Sequence, residues 1–132
     1  MVYPIPQMKK KQFKSLYPRE TVINERPINY CGIRCSLEVL GGKWKLLILA
    51  ELSKGSSRYS VLKDSIPEIS EKMLIESLKE LEANGIVSKM ENEKGKTTYA
   101  LSPYGISVLP LLKTLYEWGE NHIHNYSHIL FH

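Results

Sequence analysis

Cysteine is scarce in this 132-residue chain: there are two, Cys31 and Cys35. Two thiols cannot form the disulfide framework of a small secreted domain, and a reducing compartment keeps them free. Long apolar runs are also missing. Lys45 and Glu51 bracket the most apolar stretch, Leu46–Ala50, far short of the roughly 20 residues that a membrane span needs. The opening MVYPIPQMKKKQFK has basic residues with no apolar segment after them, so no secretory signal is expected, and the protein is expected to be cytoplasmic and away from membranes. No Cys-x-x-Cys, His-Glu-x-x-His, internal repeat or low-complexity tract is present. His122, His124, His128 and His132 cluster late in the chain, but without such a motif they are expected to be ordinary helix-surface residues, with no metal and no cofactor.

An excess of one charge is absent from most of the chain. The formal balance is +4, yet residues 31–132 hold twelve Lys/Arg and twelve Asp/Glu. The excess lies in residues 1–30, where Lys9, Lys10, Lys11, Lys14, Arg19 and Arg26 face only Glu20 and Glu25. With Pro4, Pro6, Pro18 and Pro27 and no sustained periodicity, residues 1–29 read as a basic, largely irregular arm. A solubilising tail and a phosphate-touching arm are equally compatible with it.

Organised structure is expected over residues 30–132, as one domain. A first helix starting at Asn29 or Tyr30 carries Ile33, Leu37 and Leu40 on one side and stops at Gly41-Gly42, a corner between two helices. A second places Trp44, Leu47, Ile48 and Leu52 on one face before Gly55, with Trp44 packed in the core. Tyr59, Leu62 and Ile66 mark a short third helix broken by Pro67. Ser70 is a good N-cap for a fourth, whose Leu74, Leu78 and Leu81 form a buried stripe and whose Asn84-Gly85 is a stop. IVSKM and TTYAL then alternate near period 2 around the charged ENEKGK, which predicts a β-hairpin. Ser102-Pro103 begins a last helix, with a kink or division at Pro110. Helices followed by a hairpin are the order of a winged helix-turn-helix: mainly α, with a small β-hairpin wing.

The residues also follow a known pattern. Cys31 is followed after nine residues by Gly41-Gly42-Lys43-Trp44; then come Gly55, Arg58 and Tyr59; Ile66, Pro67, Ile69, Ser70, Lys72, Met73 and Leu74; Leu78, Lys79, Leu81, Glu82 and Gly85; and Tyr99, Leu101, Ser102, Gly105 and Trp118. In this the chain resembles the HxlR-type transcriptional regulators, relatives of the MarR group, over about Cys31 to Trp118. It departs from them at Gly32, where the family has proline, and at the wing tip Glu93-Lys94-Gly95-Lys96. The resemblance implies a homodimeric regulator that binds double-stranded DNA, and in some members an oxidant or electrophile signal taken up by the cysteine that Cys31 matches. An unknown small molecule is a further possible signal.

Candidate sites follow. With Leu74, Leu78 and Leu81 turned inward, Lys72, Glu76, Lys79 and Ala83 lie on the opposite side of the fourth helix. Ser70 and Met73 at its start, Arg58, and Lys94 and Lys96 of the wing complete the expected DNA-contacting set. Cys31 and Cys35 are redox-sensing candidates. A free cysteine is as readily a small buried hydrophobe, whereas a helix N-terminus and Arg34 beside Cys31 would favour its thiolate. Leu111, Leu112, Leu115, Tyr116, Trp118 and Ile123 are expected to form a two-fold interface with the first helix. No catalytic residue is expected, since a cysteine nucleophile would need a cleft and an orienting third group that the sequence does not display. A winged helix that binds only protein is the alternative.

Overall fold

The computed structural model describes residues 31–130, with side chains up to Tyr126, and two short strands before them. Those strands, β1 (Val22–Ile23) and β2 (Arg26–Pro27), pair antiparallel, a short regular element within the arm expected to be largely irregular. The rest of the arm, and the proposed helix start at Asn29 or Tyr30, lie outside the described residues.

Helix α1 (Gly32–Leu40) has Cys31 as its N-cap and buries only Leu40. Ile33 and Leu37 are 74% and 64% exposed. They share one side of the helix, as expected, and nothing among the described residues covers it. Gly41 ends the helix by donating its N–H to the Leu37 carbonyl oxygen. A β-carbon at Gly41 would collide with that oxygen, and Gly42 has φ +95, so both glycines are needed for the corner.

Helix α2 (Lys45–Leu52) follows, and Trp44 is its N-cap, half-buried against the core. Ile48, Leu49 and Leu52 are its buried residues, while Leu47 is exposed. At about 100° per residue, Leu47 points roughly 150° away from the centre of the Ile48–Leu49–Leu52 face, which explains why Leu49 takes its place. Strand β3 (Ser57–Arg58) comes next; it is too short to leave an alternation in the sequence. Helix α3 (Tyr59–Ser65) buries Leu62, and Ile66 and Ile69 line the turn to α4 (Glu71–Ala83).

In α4 the Ser70 Oγ accepts the Met73 N–H at 3.1 Å, and Leu74, Leu78 and Leu81 are buried as the period predicts. The stop is a double hydrogen bond: Gly85 N–H to the Glu82 carbonyl and Ile86 N–H to that of Leu81, with Gly85 at φ 74. The chain turns at once into β4 (Val87–Glu91), and β5 (Thr97–Leu101) returns to close the wing. The sheet is antiparallel in the order β3-β5-β4, with Arg58 opposite Thr98 and Lys89 opposite Tyr99.

Ser102 caps a 3₁₀ turn (Gly105–Val108) through its Oγ, which accepts the Gly105 N–H at 2.8 Å and donates to the Gly85 carbonyl. Helix α5 (Leu109–Leu130) then runs to the end of the described chain. Pro110 lies in its first turn, where the missing N–H costs least, so it separates the 3₁₀ turn from the helix and does not kink it. The interruption is instead at Tyr126, whose φ −126 and ψ 20 leave the helical region. No helix among the described residues is long and apolar enough to cross a membrane.

Leu78→Ala should lower the unfolding free energy by about 2–5 kcal/mol through the cavity left in the core. Ser70→Ala, which removes only a cap, should cost about 1 kcal/mol. Denaturant unfolding followed by circular dichroism at one protein concentration checks both, and a larger loss for the cap than for the leucine would contradict this view of α4.

Candidate nucleic-acid interface

Burial of the leucine stripe leaves an outward ridge on α4. Lys72 and Lys79 are exposed on it, and neither enters an ion pair among the described residues. Glu76 lies between them, exposed and equally unpaired. The helix carries further acids at Glu71, Glu80 and Glu82, but Glu80 is turned back onto α2, where its carboxylate meets the Lys45 ammonium at 2.5 Å. The Lys45 side chain is 12% exposed and that of Glu80 59%, so the pair joins a largely covered cation of α2 to a carboxylate of α4 that stays at the surface.

Met73 lies beside the ridge and not on it. It is part-exposed but faces the corner between α1 and α2, where it lines a cleft of about 150 Å³ with Gly42, Trp44, Ser77 and Glu80. Glu76 borders the same cleft from the ridge. The Lys43 ammonium stands over the Trp44 ring, 4.7 Å from its centroid, an attraction between a cation and the face of an aromatic ring.

The second cluster joins residues far apart in the sequence. Strand pairing sets Arg58 opposite Thr98, and this brings its side chain to the wing, where Arg58, Asn92, Glu93, Lys94 and Lys96 line an open concavity of about 370 Å³. The tip is held by Asn92: its Oδ1 accepts the Lys94 N–H at 2.9 Å and the Lys96 N–H at 3.0 Å, and its own N–H bonds the Lys96 carbonyl oxygen. Gly95, at φ 73, makes the turn. Sequence reasoning passed over Asn92, although an Asn opening a Gly-containing tip is a recognisable turn signal. It also passed over the Tyr59 hydroxyl, which is buried with no hydrogen-bond partner among the described groups; burial, then the Glu71 charge and Tyr99, raise its pKa.

Cys31 and Cys35 are both exposed, which removes the buried-hydrophobe reading for each. The backbone N–H groups of Arg34 and Ile33 at the start of α1, with a smaller contribution from the Arg34 charge, lower the Cys31 pKa. Among the described residues no three His, Cys, Asp or Glu side chains lie close enough to hold a metal ion. The side chains of His128 and His132 are outside the description.

On α5, Leu111, Leu115, Tyr116, Trp118 and Ile123 are exposed, Tyr116 and Trp118 at 67% each. Leu112 departs from the expected set, because it packs half-buried against the domain's own core. Trp118 stacks on His122, with ring centroids 5.0 Å apart and planes 8° apart, and His122 meets Tyr126 at 4.8 Å. Leu111, Leu115, Trp118 and His122 fall within about 60° of one another around the helix.

A turn-linked pair of helices beside a β-hairpin, on a three-stranded antiparallel sheet, defines the winged helix-turn-helix class. The sequence profile of the HxlR-like helix-turn-helix family matches residues 39–127, and the chain belongs to that family of transcriptional regulators. The uncharacterized HTH-type transcriptional regulator YkvN of Bacillus subtilis (strain 168) is 48% identical over 91 residues, 67% of this chain and 77% of that protein. The solved structure of the HTH-type transcriptional regulator ytcD is 43% identical, with a TM-score of 0.68 over 72% of this chain and 99% of that one. The redox regulator HypR in its oxidised form is 33% identical, with a TM-score of 0.66 over 69% and 96% of the two chains. The family match begins at Val39, so Cys31 and Cys35 precede it.

With Cys35 replaced by Ser, alkylation of Cys31 by iodoacetamide should accelerate with a pH midpoint below that of an unstructured cysteine peptide measured alongside, because the thiolate is the reacting form. A midpoint at or above the peptide's would remove the influence of the α1 N-terminus.

Proposed function

We propose that the protein is a sequence-specific DNA-binding regulator that acts as a homodimer, with α4 in the major groove and the wing on the adjacent backbone. The observation that carries this reading is the pairing of an outward, unpaired Lys72–Lys79 ridge with the Arg58, Lys94 and Lys96 cluster at the wing. The two surfaces suit different tasks: side chains in the groove read base edges, whereas cations on a hairpin neutralise phosphates. Ser70 keeps its hydroxyl hydrogen for a phosphate while its oxygen caps α4.

Dimerisation is supported by the exposed apolar side chains of α1 and α5, an area that an isolated soluble domain rarely leaves in water. A second copy is the fitting occupant, because one winged helix reads a short site and a two-fold pair reads two half-sites. Residues Ile33 and Leu37 with Leu111, Leu115, Tyr116, Trp118 and Ile123 would form the contact. We read Cys31 as its oxidant- or electrophile-responsive thiol, on the strength of its exposure and lowered pKa and of the likeness to HypR. Cys35 is the secondary candidate.

Sedimentation equilibrium at micromolar concentration should give twice the chain mass, and a monomer would rule the assembly out. For DNA, each variant is titrated against a selected operator and a scrambled duplex at several salt concentrations. Lys72→Ala should weaken specific binding by about 1–3 kcal/mol if it contacts a guanine. Lys94→Ala and Lys96→Ala should weaken both duplexes alike, each flattening the salt dependence by about one unit. Unchanged operator affinity in both Lys72→Ala and Lys79→Ala would exclude α4 as the reading helix.

A further inference from the structure

We propose that Glu76 sets base specificity by accepting a hydrogen bond from the N4 amino group of a cytosine in the major groove, an inference that rests on the DNA-binding reading above. Glu76 is exposed on the outward ridge of α4 and makes no ion pair among the described residues. Lys72, four residues before it, and Lys79, three after, are both within helical reach. Neither ammonium is within ion-pair distance of its carboxylate. Glu80 shows the contrast, since its carboxylate is paired with the Lys45 ammonium. Glu71, in the first turn, is explained by the helix dipole.

An unpaired carboxylate at the centre of a DNA-reading ridge is costly unless the groove supplies a donor, because phosphates line both of its walls. Among the base edges in the major groove only cytosine N4 and adenine N6 are amino donors. Adenine sets the N7 acceptor beside its amino group, and that lone pair faces the second carboxylate oxygen. Cytosine has only a C–H there, so the carboxylate selects cytosine. Thymine, with a carbonyl acceptor in the same place, is rejected. The flanking lysines suit the acceptor pair of guanine. Side chains three or four residues apart on a helix are about 5–6 Å apart and bases on one strand rise by about 3.4 Å, so that guanine lies one or two base pairs from the cytosine.

The test is selection of bound duplexes from a randomised library by the wild type, Glu76→Ala and Glu76→Gln. The wild type should enrich sites with one fixed cytosine in each half-site, and Glu76→Ala should lose the preference at that position alone. Glu76→Gln should shift it toward adenine, whose donor and acceptor match an amide. On the selected site, cytosine to thymine at that position should weaken the wild type about tenfold or more and Glu76→Ala by less than about twofold. A wild-type consensus retained unchanged in both variants would overturn the role of Glu76 while leaving DNA binding intact. Failure of the wild type to enrich any sequence would overturn the DNA-binding reading, and this inference with it. Glu76 is exposed, so the variants should keep the wild-type circular dichroism spectrum.

Discussion

The burial of Leu74, Leu78 and Leu81 in one core cluster with the apolar residues of α2 is the contact on which the rest of the molecule depends. All three are at most 2% exposed, together with Ile48, Leu49, Leu52 and Leu62. A helix with one face locked in a core has no freedom in what it presents outward, since the remaining residues are set by the 3.6-residue period. Lys72, Glu76 and Lys79 are outside because the leucines are inside. The Lys45–Glu80 pair fixes the helix from the flank, where a rotation would otherwise cost little. It also neutralises one of the four acidic charges of α4, so a helix that reads as acidic in sequence offers a more balanced surface than its composition suggests.

A second junction carries that orientation to the wing and to α5. The double hydrogen bond at Gly85 and Ile86 ends α4, and the Ile86 carbonyl then accepts the Ser102 N–H at 3.0 Å. The buried Ser102 hydroxyl donates to the Gly85 carbonyl and accepts from the Gly105 N–H. A β-carbon at Gly105 would meet the Ile86 carbonyl, so the backbone packs too closely there for any side chain. Four segments thus meet in one polar knot: the end of α4, the base of β4, the end of β5 and the 3₁₀ turn before α5. The wing and the C-terminal helix inherit their angles from the same helix that carries the ridge.

Much of this was legible in sequence because it is written in local chemistry. Leucines at helical spacing, Ser70 as a cap, Asn84-Gly85 as a stop and two β-compatible runs around Gly95 each act over a few residues. What escaped is non-local. Arg58 joins Lys94 and Lys96 only because β3 pairs with β5, and a two-residue strand leaves no alternation to detect. The Lys45–Glu80 pair is invisible for the same reason. Ile33 and Leu37 show a limit of another kind: periodicity identifies an apolar face but not what covers it. Met73, about 100° from the ridge at the scale of the helical period, borders the Gly42–Trp44 corner, a position that helical spacing gives and a neighbour that it does not.

Charge distribution bears on how affinity and selectivity would divide in the proposed complex. The domain from residue 31 onward has no net charge by formal count, so attraction to a duplex cannot come from its overall field. It has to come from local groups, and Arg58, Lys94 and Lys96 share their concavity with a single acid, Glu93. Because Asn92 ties the backbone of the tip to itself, those cations are presented by a preorganised loop and lose less freedom on contact. The ridge of α4 carries lysines and a carboxylate together, so its gain from phosphates is small and its contacts are worth most where base donors and acceptors match. A surface built this way binds random DNA weakly for its size and leaves discrimination to the helix. Salt should therefore act mainly on the wing's share of the affinity, and base sequence on that of α4.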